Sequence, residues 1–177
     1  MKYFVIPIFL LANLPFASKN ENDFKSWNRD GVPVEDGSMK TNNGFGGSLI
    51  LTKDADYSEK WEKPTPGVSF SGADSAKVGD TVFVLPVFAK PKEANGKCNV
   101  RLSMRVLDPD GKVYGEMKDT AAWTLSAPPK NNLQMSQAIM GIRLEPQDKK
   151  GLYTVECILR DENRHAKVSL NKTFVVK

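Results

Sequence analysis

The sequence predicts an all-β antiparallel sandwich with an N-terminal extension containing a short helix. Three observations carry that prediction. Apolar and polar residues alternate at period two through short segments, most clearly in Asn99–Leu107, where Val100, Leu102, Met104 and Val106 share one face. Turn signals such as Asp108-Pro109-Asp110-Gly111 separate those segments at short intervals. Gly151–Arg160 (GLYTVECILR) places Tyr153, Val155, Cys157 and Leu159 on one face of a strand and Thr154, Glu156 and Arg160 on the other. Ile158 breaks that alternation, as a second packing surface or an interface would absorb.

From the N-terminus, residues 1–18 read as a signal peptide. Lys2 is a minimal positive region, Tyr3–Leu14 is almost uninterrupted apolar sequence, and Ala17 or Ser18 offers a small residue before a cut. No other segment approaches membrane-spanning length, so the expected product is periplasmic or secreted, with no membrane span after signal removal. Residues 19–66 read as an N-terminal arm, a strand and a short helix packed on the sandwich. There, Asp30-Gly31 and Asp36-Gly37 favour turns, Phe45–Thr52 is the first credible strand, and Asp54–Lys63 sets Tyr57 and Trp61 on one helical face. Pro64 and Pro66 end that helix.

Residues 67–177 carry the sandwich itself. Gly67–Ser71 is expected as a strand, Lys77–Asp80 as a turn, and Thr81–Ala89 as a strand. Pro86 has no N–H to donate, which puts it at an edge, a bulge or a strand switch. After Asn99–Leu107, Lys112–Met117 returns antiparallel, Thr120–Ala127 forms an edge strand, Asn131–Ser136 a loop and Gln137–Leu144 a further strand. Asp161–Arg164 then turns the chain into Ala166–Val176, whose two-sided apolar end at Phe174-Val175-Val176 predicts a bulge near Lys172.

The 177 residues include 25 basic and 21 acidic side chains, a formal charge of +4, with the two signs interspersed. That distribution argues against a nucleic-acid partner. One histidine, His165, is too little for a histidine-based metal site or relay. Gly44-Phe45-Gly46-Gly47 lacks the lysine and hydroxyl of a phosphate loop. Asp54, Asp56, Glu59 and Glu62 are explained by capping and pairing around a helix, and Asp108 and Asp110 by their turn. No metal, no cofactor and no catalytic residue is assigned, and the chain is read as a non-enzyme.

The stretches AKVGDTVFVLPVF, RVLDPDGKVY and DKKGLYTVECILRD together resemble an immunoglobulin-like β-sandwich domain of an exported bacterial protein. Asp148-x-x-Gly151-x-Tyr153 resembles the tyrosine corner of such domains, in which a tyrosine hydroxyl bonds back to nearby backbone. Cys98 and Cys157 are an even pair in an oxidising destination, so a structural disulfide is expected. Cys157 lies four residues after Tyr153, not two as in the antibody pattern. The resemblance therefore implies a bridge within one sheet, between the third and penultimate strands, stabilising by roughly 2–4 kcal/mol.

The expected function is a non-catalytic exported binding or protein-protein interaction domain, its partner another envelope or extracellular protein. Carbohydrate binding is the second reading, a small hydrolase using paired carboxylates the third, and an inhibitor or immunity protein the fourth. Trp27, Tyr57, Trp61 and Trp123 are the candidate binding residues, because exposed aromatic rings anchor recognition surfaces. The sequence sets no oligomeric state.

Overall fold

The computed structural model describes residues 37–63, 68–129 and 133–177 with their side chains, and residues 3–7, 26–27 and 33–34 as backbone strand only. In chain order the strands are β1 (Tyr3–Pro7), β2 (Ser26–Trp27), β3 (Pro33–Val34), β4 (Met39–Asn42) and β5 (Phe45–Thr52). Helix α1 (Tyr57–Glu62) follows, then β6 (Ser75–Ala76), β7 (Thr81–Ala89), β8 (Val100–Leu107) and β9 (Val113–Trp123). The last four are β10 (Leu133–Met135), β11 (Ala138–Arg143), β12 (Gly151–Asp161) and β13 (Ala166–Val176).

Two sheets, antiparallel apart from the short parallel pairing of β6 with β13, pack face to face. The first runs β1-β11-β7-β5-β4, with β10 also pairing β7; the second runs β6-β13-β12-β8-β9; β2 and β3 pair separately. Inward alternation supplies the core: Phe45, Leu49, Val82, Val84 and Phe88 meet Leu102, Val106, Val155, Leu159, Val168 and Phe174. Gly47 permits the close approach of the sheets, since a Cβ there would lie 2.7 Å from Val168 Cγ2 and 3.0 Å from Leu159 Cδ1. Outward residues of β7 and β11, Leu85, Val87 and Ile139, build a smaller cluster that α1 covers with Tyr57 and Trp61. Burying each of those rings stabilises the helix on its sheet by about 2–3 kcal/mol.

Several expectations change in detail. Pro86 sits opposite Leu49, where the other neighbour of β7 changes from β11 to β10, and its carbonyl accepts from Ser136 N at 2.8 Å. It occupies a strand switch, and β10 lies within the segment expected as loop. β9 is continuous through three register shifts, with Asp119 in the left-handed region at φ 41° between Met117 and Thr120. The bulge expected near Lys172 is absent, because β12 and β13 pair without a shift from Gly151↔Val176 to Asp161↔Ala166. Lys172 keeps the inward parity and is half-buried, which its long stem allows, while Val175 faces solvent. The expected strand at Gly67–Ser71 is replaced by an isolated bridge at Gly72 and the short β6; residue 67 is outside the described residues.

The disulfide expected between Cys98 and Cys157 is corrected: both are free, buried thiols. The entrance of β8 does lie beside the exit of β12, as Val100 pairs with Asp161. Cys157, however, is in mid-strand opposite Met104, six residues along β8 from Cys98. At about 3.3 Å per residue that is about 20 Å, far beyond the roughly 7 Å between Cα atoms that a bridge can span.

At the other end of β12, Tyr153 Oη donates to the Lys149 carbonyl at 3.0 Å. Asp148 Oδ2 accepts from Glu145 N and from Tyr114 Oη, both at 2.7 Å. Gly151 has φ +132°, and a Cβ there would stand 3.0 Å from Pro109 Cγ, so the turn entering β12 requires glycine on both counts.

Candidate functional site

The outer face of the second sheet carries a surface depression that makes it the candidate site. Antiparallel register sets outward residues in rows across β8, β12 and β13. Ser103, Ile158 and Ser169 form one row; Arg105, Glu156 and Asn171 form the next, extended onto β9 by Glu116. Around these rows the surface sinks into a trough of about 490 Å³, with Lys40 of β4 at its rim. β4 reaches this sheet because it folds against β13: Asn42 Nδ2 donates to the Lys167 carbonyl at 3.0 Å, and Asn171 N to the Gly37 carbonyl at 2.6 Å.

The charged side chains along the trough are paired with one another. Arg105 Nε bonds Glu156 Oε2, which raises the already high pKa of the guanidinium, and Lys118 Nζ lies 2.8 Å from Glu116 Oε1. At one end the bulge in β9 delivers Asp119, whose N–H donates to Ser103 Oγ at 3.0 Å. Asp119 Oδ1 takes Arg101 Nε at 2.7 Å and also Arg160 Nη2. The Arg101 hydrogen bond, with Arg160 beside it, holds the Asp119 carboxyl below the usual carboxylate range.

At the other end polar rows give way to apolar ones. Leu107 pairs with Val113 on one side and Thr154 on the other, and Leu152 pairs with Val175. Leu152 is 53% exposed and Val113 51%, the most exposed of the large apolar residues described. One sheet face thus joins a hydroxyl-, amide- and charge-lined trough to an apolar patch.

The aromatic candidates lie elsewhere. Tyr57 and Trp61 are buried beneath α1, the first 4.9 Å from the Phe83 ring centre and the second stacked on Phe70 at 6.5 Å. Trp123 is buried in the main core against Phe88, its Nε1 donating to the Ser126 carbonyl at 2.9 Å. None of these three presents two open ring faces. Trp27 belongs to β2, and its side chain is outside the described residues. The trough residues escape a sequence search because they are mostly ordinary polar residues from five strands; the readable signal is Ile158, apolar on the outward parity.

Among the described residues, no grouping of three or more His, Cys, Asp or Glu could hold a metal ion. The acidic residues near α1 are engaged by Lys60, 2.8 Å from Asp54 and 3.2 Å from Asp56. Asp108 is bonded by Lys149, which lowers its pKa, and by the backbone of its own turn. His165 is exposed in a turn at φ 54°. No described helix is long and apolar enough to cross a membrane.

No family model matches the chain. No curated protein matches it either. Among solved structures it is similar to a family 123 glycoside hydrolase from Clostridium perfringens, at 12% identity and TM-score 0.42, over 74% of this chain and 27% of that one. It is similar to Bacteroides uniformis beta-glucuronidase 2 at 19% identity and TM-score 0.40, over 76% of this chain and 14% of that one. It is also similar to a Niemann-Pick type C2 protein from Japanese carpenter ant at 12% identity and TM-score 0.39, over 73% of this chain and 89% of that one. The class defined by the fold is an all-β protein of two packed antiparallel sheets. At these TM-scores the likenesses assign neither family nor activity.

Proposed function

We propose that this chain is a non-catalytic exported binding domain of immunoglobulin-like arrangement, and that it holds another protein on the outer face of its second sheet. The strand order supports the immunoglobulin-like part: β8, β12 and β13 follow the order of one sheet of such domains, and β5, β7 and β11 that of the other. One observation carries the functional part: the Leu107, Val113, Leu152 and Val175 patch adjoins, on a single face, a trough around Ile158 that is edged by paired polar and charged groups. An apolar centre beside satisfied polar groups is the make-up of protein recognition surfaces. Glu116 and Glu156 each face a cation, which supports recognition over acid-base chemistry.

A photo-crosslinking residue placed at Leu152 or Ile158 should give a discrete adduct in the producing cell, and Ile158→Arg should remove the adduct formed from position 152. The same probe at Val78, an exposed turn position, should give none. Equal labelling from all three positions, or none from the sheet face, would reject the reading. The trough's volume and its Ser103, Ser169 and Asn171 groups also suit a small hydroxyl-bearing ligand, so a carbohydrate is the second reading. Glycan-array binding that depends on Asn171 but not on Leu152 would select it.

A further inference from the structure

Both faces of β11 are buried with β1 alongside it. Ala138, Met140 and Ile142 point into the main core, and Ile139 into the cluster beneath α1. Its composition, AIMGIR, has no proline and no lysine, and its one charge, Arg143, stands at the end. A sheet edge of that kind is a ready template for another strand, because its N–H and C=O groups face outward without any protecting charge. The remaining long edges differ. β4 folds against β13, and the edge strand β9 carries Glu116, Lys118 and Asp119.

In the structure the exposed side of β11 is taken by β1, antiparallel over five pairs from Tyr3↔Ile142 to Pro7↔Ala138. Those residues belong to the segment read as a leader. Between residue 19 and β4, no other run of five residues is uncharged and apolar, and Pro33–Val34 already pairs with Ser26–Trp27. Removal of the leader therefore takes away the strand whose chemistry matches the edge.

We infer that the outer edge of β11 is a strand-acceptor site, at which an extended apolar segment of a partner protein pairs antiparallel with Ala138–Ile142 in the place held by Tyr3–Pro7. This rests on the reading that the chain is exported and its leader removed. Backbone hydrogen bonds would give such a partner its affinity, and its uncharged, apolar side chains the selectivity, with a proline tolerated opposite Ala138 as Pro7 is.

The test uses the full-length gene expressed in an exporting host and the processed protein purified from it. Intact mass, light scattering and hydrogen exchange are measured with and without a synthetic peptide of residues 2–8. The expected product is a monomer lacking the leader, whose Ile139 and Gly141 amides, on the side of β11 turned away from β7, exchange readily and slow at least tenfold with peptide, while those of Val100–Leu107 do not change. Retention of the leader would overturn the inference together with the export reading. Leader loss with amides already slow, or unmoved by peptide, would overturn the inference alone. So would a dimer in which a second copy protects β11.

Discussion

Tyr153→Phe removes one oxygen from the residue that fixes the entry of β12, the strand flooring the trough. The hydroxyl donates to the Lys149 carbonyl at 3.0 Å, while the ring is stacked on Phe174 at 5.3 Å and stands edge-on to Tyr114 at 5.4 Å. Phenylalanine keeps both ring contacts, so the loss is that of the hydrogen bond alone. Lys149 is exposed, and water can replace the donor at its carbonyl, which keeps the cost near the centre of the usual range, about 1 kcal/mol. For a domain of this size that lowers Tm by about 3 °C and shifts the urea midpoint without changing the slope. Tyr114→Phe loses a bond to a carboxylate, Asp148 Oδ2 at 2.7 Å, and should cost more, about 1.5–3 kcal/mol. Because the rings touch, the double variant should deviate from additivity. No change in Tyr153→Phe, or a loss above about 3 kcal/mol, would refute the assignment of this bond as a simple local lock.

Gly47→Ala should destabilise by about 1–3 kcal/mol, because the added methyl meets Val168 and Leu159 at 2.7 and 3.0 Å; denaturant titration decides it, and a neutral variant would mean that the sheets can separate freely. Unfolded protein prepared without reductant should titrate two thiols per chain, with none reacting rapidly in the native state at pH 8, since both are buried and free. Burial pushes the Cys98 thiol up to about 11 and the Cys157 thiol up to about 12, from an ordinary value of 9.0. Their contribution to stability is thus intact below about pH 9, and unfolding free energy should fall as pH rises from about 9, where the unfolded chain starts to lose these protons, through 11 and 12, where the folded thiols lose theirs. At the acid end, Lys60 and the Ser71 N–H hold Asp54 down to about 2, so the α1 tether persists below the ordinary 3.8 and is lost as pH falls through about 2. Carboxyl chemical shifts followed by NMR would show that midpoint.

Much of the scaffold is legible in local sequence. β8 and β12 follow directly from alternation and turns, because a half-buried strand must repeat every two residues. α1 follows from Tyr57 and Trp61, although only the tertiary structure shows that both rings lie against β7 and β11. Pro86 was readable as an edge, a bulge or a strand switch, but which of these it is, and which strands exchange there, only the tertiary structure decided. Such details depend on which strands become neighbours, a long-range choice that period-two patterns do not encode.

The cysteines and Ile158 mark the same division. Two cysteines in a chain expected to be exported predict a bridge, yet register places Cys157 opposite Met104 and both thiols are free. Ile158 signals by itself that the outer face of its strand is not merely solvated. That it lies between Ser103 and Ser169, next to Arg105, Glu156 and Asn171, was decided by the pairing of β8, β12 and β13. Sequence by itself determined which residues alternate, turn and pack, since those preferences are local. The trough and the apolar patch beside it exist only in the tertiary structure, because lateral neighbours in a sheet come from distant segments of the chain: Ser103 and Ile158 are 55 residues apart.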